Sequence, residues 1–174
     1  MSFEKIRKIA HLNGYEFLHR KKVHSTMIDA KNFLINDNKT NSNCLVLADQ
    51  QSKGKGRRGK HWTSPEGNVY CSISFKNILN VNEIFLYNIL LVVSIKESLE
   101  KFGANNIKFK WPNDILYKNK KFSGVISESL KIDDLNDYVI SGFGINIKSA
   151  PNIKNYQTTY VNSFCTINNI SKFL

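Results

Sequence analysis

The sequence contains few cysteines, and their positions exclude the usual cysteine-based sites. Its 174 residues include only Cys44, Cys71 and Cys165, an odd number at wide spacing. None belongs to a C-x-x-C pair and none has a histidine at metal-ligand spacing, so neither a disulfide framework nor a zinc site is expected. We expect each cysteine to be a small buried residue in a reducing, cytoplasmic compartment.

Long hydrophobic runs are also missing. The longest, Ile89–Val93, is far shorter than the roughly 20 residues needed to cross a bilayer. Residues 1–11 carry several charges and no apolar core, which excludes a secretory signal in that segment. The sequence therefore predicts a soluble protein with no membrane partner.

Acidic residues are scarce relative to basic ones. There are 14 Asp and Glu against 25 Lys and Arg, which gives a formal net charge of +11. This charge predicts attraction to anions, which include nucleic acid, phosphorylated small molecules and acidic proteins. The length and the 41% hydrophobic content suit one compact domain with a substantial core.

Apolar periodicity predicts an α+β fold. Strands are expected at 15–24, 44–49, 68–75, 107–117, 122–132 and 137–147, and helices at 25–37, 80–103 and 166–174. Ser25 or Thr26 is expected to cap the first of these helices, while Asn80 or Asn82 begins the second and Gly103 ends it. The turns fall at 118–121 and 133–137. This order favours a mixed, largely antiparallel sheet with helices on one side.

The stretch GKGRRGKHW at 54–62 fits two phosphate-binding templates incompletely. A dinucleotide-binding turn and a P-loop both require a helix directly afterwards, whereas here a strand follows, and His61 replaces the Ser or Thr of a P-loop. Five Lys and Arg side chains lie within residues 53–60 between glycines that permit close backbone approach. The segment is predicted to be a lid that binds an anion, with Trp62 covering an apolar part of the ligand.

Several motifs together resemble a known family. In order, they are DQQSKGKGRRGKHWTSPEGNVYCSISF, KWPNDILYKNKKFSGVISE and GFGINI, each at the expected spacing. The region from Tyr15 to Pro151 looks like the catalytic domain of biotin protein ligases, of the biotin–[acetyl-CoA-carboxylase] ligase type. The resemblance implies a class II synthetase-like sheet flanked by helices. It also implies a reaction in which biotin and ATP form biotinyl-5'-AMP and a carrier-protein lysine then takes the biotin.

The resemblance also implies a biotin site. Lys121 and Arg57 are expected to be catalytic, with Lys121 contacting the biotin carboxylate and the attacked phosphate, and Arg57 binding anionic oxygens with a two-pronged guanidinium. Lys55 and Met27 depart from the Arg and Asn that the family usually carries. The residues assigned to biotin are Ser25, Thr26, Met27, Gln51, Lys55, Gly56, Arg57, Lys121 and Gly124.

ATP, accompanied by Mg²⁺, is assigned by the resemblance to Arg58, Trp62, Asn113 and Asn146. The two asparagine amides would match the donor and acceptor on the adenine edge. Asp114 is expected to orient Lys110 or the acceptor lysine, with a structural turn carboxylate as the alternative, and Trp111 is expected in the core. The metal ligands are not predicted.

Residues 1–174 are expected to form one catalytic domain. About two dozen residues precede the first motif, too few for the DNA-binding domain of some relatives, and a C-terminal SH3-like domain is expected to be absent or truncated. The acceptor would be a biotin carboxyl carrier protein or domain. The oligomeric state is not predicted, and a homodimer is one possibility. Two alternatives remain, a lipoate ligase-like enzyme and a noncatalytic basic module that binds nucleic acid. Arg57 and Arg58 in the loop, together with W-P-N-D, favour the biotin branch.

Overall fold

The computed structural model describes residues 3–36, 43–79, 83–133, 137–168 and 170–173. In chain order its elements are α1 (Glu4–Leu12), β1 (Tyr15–Val23), α2 (Thr26–Asn36), β2 (Asn43–Gln51), β3 (Val69–Lys76), α3 (Phe85–Lys101), β4 (Ile107–Lys110), β5 (Asp114–Tyr117), β6 (Lys120–Lys131), β7 (Asp137–Ile145) and α4 (Ile170–Phe173). Short 3₁₀ turns lie at Arg57–Gly59 and Val161–Ser163.

The strands form one seven-stranded sheet in the order β1-β2-β3-β7-β6-β5-β4. Only β1 and β2 pair in parallel, and the other neighbours are antiparallel. The parallel pair needs a crossover connection, which α2 supplies. The predicted mixed, largely antiparallel α+β sheet is therefore confirmed.

Helices cover both faces of the sheet, so the expectation of helices on one side is wrong. Leu45 and Leu47 of β2 belong to the core that α1 and α3 cover. The alternating Cys44 and Val46 face the smaller core under α2. Successive strand residues point to opposite faces, and the unbroken apolar run in β2 is the pattern of a strand buried on both sides.

The predicted strand at 107–117 is two strands joined by a tight reversal. β4 and β5 pair as a hairpin closed by Lys110 and Asp114, with Trp111–Asn113 between them. Pro112 has no N–H to contribute to a strand ladder, which explains why the strand is interrupted there. The hairpin forms the edge of the sheet beside β6.

Helix α1 was missed by the sequence prediction, although Ile6 and Ala10 lie one turn apart and are both buried. Helix α3 ends two residues before Gly103, whose φ of 87° is the left-handed conformation expected after a helix. Its predicted first residues, Asn80 and Asn82, lie outside the described residues, as does most of the predicted turn at 133–137. Within the described ranges, no helix is both long and apolar enough to cross a membrane.

All three cysteines are free and buried, as predicted. Burial raises the pKa of the Cys44 thiol to about 11 and raises that of Cys71 further. Both thiols therefore stay protonated and unreactive at neutral pH.

Candidate active site

A pocket of about 650 Å³ opens between the sheet and the loop that joins β2 to β3. It collects residues from α2, this loop, the β4–β5 hairpin, β6 and β7. Among the residues predicted from the sequence, those that line it are Ser25, Thr26, Met27, Gln51, Lys55, Gly56, Arg57, Arg58, Trp62, Asn113, Lys121 and Gly124. Asn146 is the predicted residue that does not line it.

Residues 52–62, which we call the basic loop, fold back on themselves. The Gly56 N–H donates to the Lys60 carbonyl at 2.7 Å, and the Trp62 N–H donates to the Gly54 carbonyl at 2.8 Å. A Cβ at Gly54 would collide with the Trp62 carbonyl oxygen, so glycine is required where the two arms meet. The next regular element after the 3₁₀ turn at Arg57–Gly59 is the strand β3 and not an α-helix, which explains why neither helix-dependent phosphate template applies.

Two side chains of the basic loop contact the sheet and the β4–β5 turn. The Lys55 Nζ lies 3.6 Å from the Glu128 Oε2 on β6. The Arg57 Nη1 donates a hydrogen bond of 3.3 Å to the Asn113 Oδ1 in the β4–β5 turn. These contacts bring the positive charges of the loop over the pocket.

The Lys121 ammonium is fixed in the pocket by an ion pair and by two aromatic rings. Its Nζ lies 2.7 Å from the Asp114 Oδ1, and the two side chains are only 15% and 25% exposed. The same ammonium stands 5.2 Å from the Trp62 ring centroid and 5.4 Å from that of Tyr156. Burial, and then the Asp114 charge, raise the pKa of the Tyr156 phenol. Asp114 therefore pairs with Lys121, and the expectation that it orients Lys110 is not met.

The Trp62 ring packs on the sheet above two glycines, where there are no side chains in its way. Gly124 and Gly144 are paired residues of β6 and β7. A Cβ at Gly144 would collide with the indole, and one at Gly124 would stand 3.2 Å from it. The indole Nε1 is buried and has no hydrogen-bond partner among the described residues.

Polar groups at the α2 end of the pocket are paired with one another. The Gln51 Oε1 accepts from the Thr26 N–H at 2.9 Å and from its hydroxyl at 3.2 Å. The Gln51 Nε2 donates to the Ser64 Oγ at 3.1 Å. Met27 lies against Gly142, where an added Cβ would be 2.8 Å from the Met27 Cγ. This end is therefore a fixed polar surface beside one thioether.

The two asparagines predicted to meet adenine lie in different surroundings. The Asn113 Nδ2 donates to the Val125 carbonyl at 2.9 Å. The Asn146 Nδ2 donates to the Thr159 carbonyl at 3.1 Å, whereas its Oδ1 is buried without a partner in the described part of the chain. Asn146 lines a small adjoining cavity behind Trp62. Their assignment to ATP stays a prediction.

Trp111 is not a core residue, so that expectation is wrong. It follows the edge strand β4, lines the pocket and is 61% exposed. Its ring contacts that of Phe85 edge-to-face, with centroids 5.7 Å apart. An aromatic residue after an edge strand has neighbours on one side only, which accounts for the exposure.

Asn68 supports the site from outside the pocket, and no sequence pattern indicated it. Its buried Oδ1 accepts from the backbone N–H groups of Ile147, Lys148 and Ser149 at 2.8, 3.0 and 3.3 Å. Its Nδ2 donates to the Ser149 carbonyl at 3.0 Å. One side chain thus fixes the segment that follows β7 and Asn146.

Residues 20–146 match the model of the Biotin/lipoate A/B protein ligase family, and the chain belongs to this family. It is 35% identical over 109 residues to the bifunctional ligase/repressor BirA of Bacillus subtilis, which covers 62% of the chain and 34% of that relative. It is 29% identical over 108 residues to the biotin–[acetyl-CoA-carboxylase] ligase of Paracoccus denitrificans, covering 61% of the chain and 45% of the relative. These matches span about a third to a half of the relatives' length.

Solved structures show the same fold. The biotin protein ligase of Leishmania major in complex with biotin superimposes with a TM-score of 0.72 at 26% identity, covering 86% of this chain and 63% of that one. The Aquifex aeolicus biotin protein ligase in complex with biotin and ATP gives 0.66 at 30% identity, covering 84% and 60%. A Plasmodium falciparum protein in complex with lipoate shares the fold with a TM-score of 0.64 at 17% identity.

Proposed function

We propose that the chain is the catalytic part of a biotin protein ligase. It activates biotin with ATP, supplied as its Mg²⁺ complex, to biotinyl-5'-AMP and transfers biotin to a lysine of a biotin carboxyl carrier protein or domain. The observation that carries the proposal is the half-enclosed Lys121–Asp114 pair facing the basic loop across one pocket. The names of the relatives, which are biotin protein ligases, supply the substrate class.

The first step joins two anions. A biotin carboxylate oxygen forms a bond to the α-phosphorus of ATP, and the bond from that phosphorus to the departing pyrophosphate breaks. Fixed positive charge lowers the barrier to such a step because it offsets negative charge that develops in the transition state. Lys121 supplies this charge from the sheet, and Arg57 supplies it from the basic loop.

Unpaired buried atoms of Trp62 and Asn146, which both line the small cavity adjoining the main pocket, support a nucleotide beside the biotin site. The Trp62 Nε1 is a donor and the Asn146 Oδ1 an acceptor, and neither has a partner among the described residues. A purine base presents both donors and acceptors on its edge, and buried polar groups without partners are costly. The arrangement fits the assignment of Trp62 and Asn146 to ATP.

The second step needs an open side of the pocket. The acceptor lysine amine attacks the acyl carbon of biotinyl-5'-AMP, an amide bond forms, and AMP leaves with the electron pair of the broken anhydride bond. Trp111 stands exposed at this opening. A carrier protein can therefore bring its lysine in beside the β4–β5 hairpin.

The proposal is tested by incubating the protein with biotin and Mg-ATP and detecting biotinyl-5'-AMP by mass spectrometry. Biotin together with Mg-ATP is expected to raise the free energy of unfolding by about 2.7 kcal/mol at a hundredfold excess over the dissociation constant. Matched incubations with lipoate and with RNA test the two alternatives. An adenylate of lipoate alone, or stabilisation by RNA alone, contradicts the biotin assignment.

Replacing Asn146 with alanine is expected to weaken Mg-ATP binding about 2–10-fold, because one hydrogen bond contributes about 0.5–1.5 kcal/mol. Biotin affinity is expected to stay unchanged, since Asn146 lies behind Trp62 and not in the main pocket. Titration calorimetry with each ligand measures both values, and Asn105→Ala, an exposed position, is the control. Equal losses for biotin and ATP would show that Asn146 only holds the Thr159 backbone.

A further inference from the structure

The ion pair between Lys55 and Glu128 joins the basic loop to strand β6, which is distant from it in sequence. Lys55 lies in the basic loop between Gly54 and Gly56, while Glu128 lies on β6 opposite Ile140 of β7. The side chains are 43% and 54% exposed. Because β6 is held in the sheet, Glu128 is a fixed point to which a glycine-rich loop can attach.

Glu128 is distinctive among the surroundings of the loop. In the part of the chain that the structure describes, no other carboxylate forms an ion pair with a cation of the basic loop. The hydrogen bond from Arg57 to Asn113 has a neutral acceptor. Beside the contact of the Trp62 ring with the Lys121 ammonium, the ionic attachment of the loop's cations to the sheet therefore depends on one acidic side chain.

We propose that Glu128 is a positioning residue that keeps the basic loop closed over the pocket by holding Lys55. The role in catalysis rests on the function proposed above: a closed loop keeps biotinyl-5'-AMP in the pocket until the acceptor lysine arrives. A partly exposed ion pair shifts such an equilibrium about 2–5-fold, less at high salt. Glu128 does not line the pocket and has no role in the bond-forming steps.

Trypsin tests the closed loop without any ligand. The loop contains Lys and Arg residues after which trypsin cuts, and cleavage of a folded protein follows the population of the locally open form. Glu128→Gln is expected to raise the rate of cleavage within residues 53–60 about 2–5-fold in dilute buffer. At 1 M salt the unmodified protein should approach the rate of the variant, because the ion pair is screened.

Glu100→Gln is the matched control, since it removes a similarly exposed carboxylate from the Lys96 ion pair on α3. Its cleavage rate in the loop should equal that of the unmodified protein. If Glu128→Gln leaves loop cleavage unchanged, or if Glu100→Gln raises it equally, the proposal is wrong.

Reversing the charges at positions 55 and 128 distinguishes the loss of an ion pair from a general loss of structure. Lys55→Glu and the double variant Lys55→Glu with Glu128→Lys have identical loop sequences, so trypsin meets the same cutting sites within the loop in both, and cleavage after the added lysine on β6 is scored separately. The double variant is expected to be cut about 2–5-fold more slowly after Arg57 and Arg58, because the opposite charges are restored. Equal cleavage of the two variants would exclude an electrostatic attachment.

The effect of Glu128 on retention of biotinyl-5'-AMP is measured in a second experiment, independent of the trypsin assay. Once the unmodified protein has been shown to form biotinyl-5'-AMP, Glu128→Gln is expected to release it about 2–5-fold faster in a chase with unlabelled biotin, with an unchanged rate of formation. An unmodified protein that forms no adenylate contradicts the proposed function while the trypsin result still decides the role of Glu128. Unchanged release by a variant whose loop is cut faster would show that loop closure does not retain the intermediate.

Discussion

Replacing Lys121 with alanine is expected to slow biotinyl-5'-AMP formation in a single turnover by about 10²–10³-fold, the scale seen when one preorganised stabilising group is removed from an active site. The Lys121 ammonium is held before substrates arrive, by Asp114 at 2.7 Å and between the rings of Trp62 and Tyr156. A group that is already in place needs no reorganisation when negative charge develops. The loss should therefore appear mainly in the rate of the chemical step.

Lys120→Ala is the control for this experiment. Lys120 is the preceding residue on β6, is exposed and is absent from the pocket lining, so its removal tests the effect of total charge alone. Rapid quench with labelled ATP gives both rates. If Lys121→Ala forms the adenylate at the rate of the unmodified protein, or if Lys120→Ala loses as much, Lys121 does not have the catalytic role proposed here.

Replacing Asn68 with alanine is expected to lower the free energy of unfolding by about 2–4 kcal/mol, because one buried and two partly buried backbone N–H groups lose their acceptor. The three N–H groups of Ile147, Lys148 and Ser149 all donate to the Asn68 Oδ1. For a chain of this length the melting temperature should fall by roughly 5–15 °C. Thermal and urea unfolding followed by circular dichroism measure both quantities.

The Asn68→Asp variant distinguishes the contribution of the accepting Oδ1 from that of the donating Nδ2. It retains the oxygen that accepts three hydrogen bonds but loses the Nδ2 that donates to Ser149, so we expect a smaller loss than for alanine. Asn105→Ala, which removes a hydrogen bond to Gly103 in an exposed turn, should change stability little. A loss for Asn68→Ala no larger than for Asn105→Ala would contradict the role given to Asn68.

Local patterns in the sequence were sufficient to predict most of the fold. Alternation in residues 69–75 predicted β3, and the helical spacing of residues 84–99 predicted α3. The faces of the sheet were not predicted correctly, because the consecutive apolar residues of β2 were interpreted only as a buried strand. The same apolar run also implies that β2 is buried on both faces, because α2 and α3 each need an apolar surface to pack against.

The pocket was predicted from motifs, but its internal pairing was not. An irregularity between Ile115 and Leu116 places Leu116 opposite Lys121 and Asp114 opposite Gly124. This register allows the Lys121 side chain to pass over Gly124 and reach Asp114. Sequence spacing contains no information about such an irregularity, so the ion pair of Asp114 with Lys121 was not predicted. The roles assigned to individual residues in binding biotin and ATP stay predictions.

The glycine pair beneath Trp62 restricts how this chain can vary over generations. Gly124 and Gly144 face each other across β6 and β7, and the indole occupies the space above both. A methyl group gained at Gly144 takes up volume that the indole ring occupies, whereas one gained at Gly124 requires the indole and the Lys121 side chain to shift by a few tenths of an ångström. A side chain at position 144 therefore needs a smaller residue at position 62. Inherited change at position 144 must therefore begin with the tryptophan, whereas position 124 is constrained less strongly.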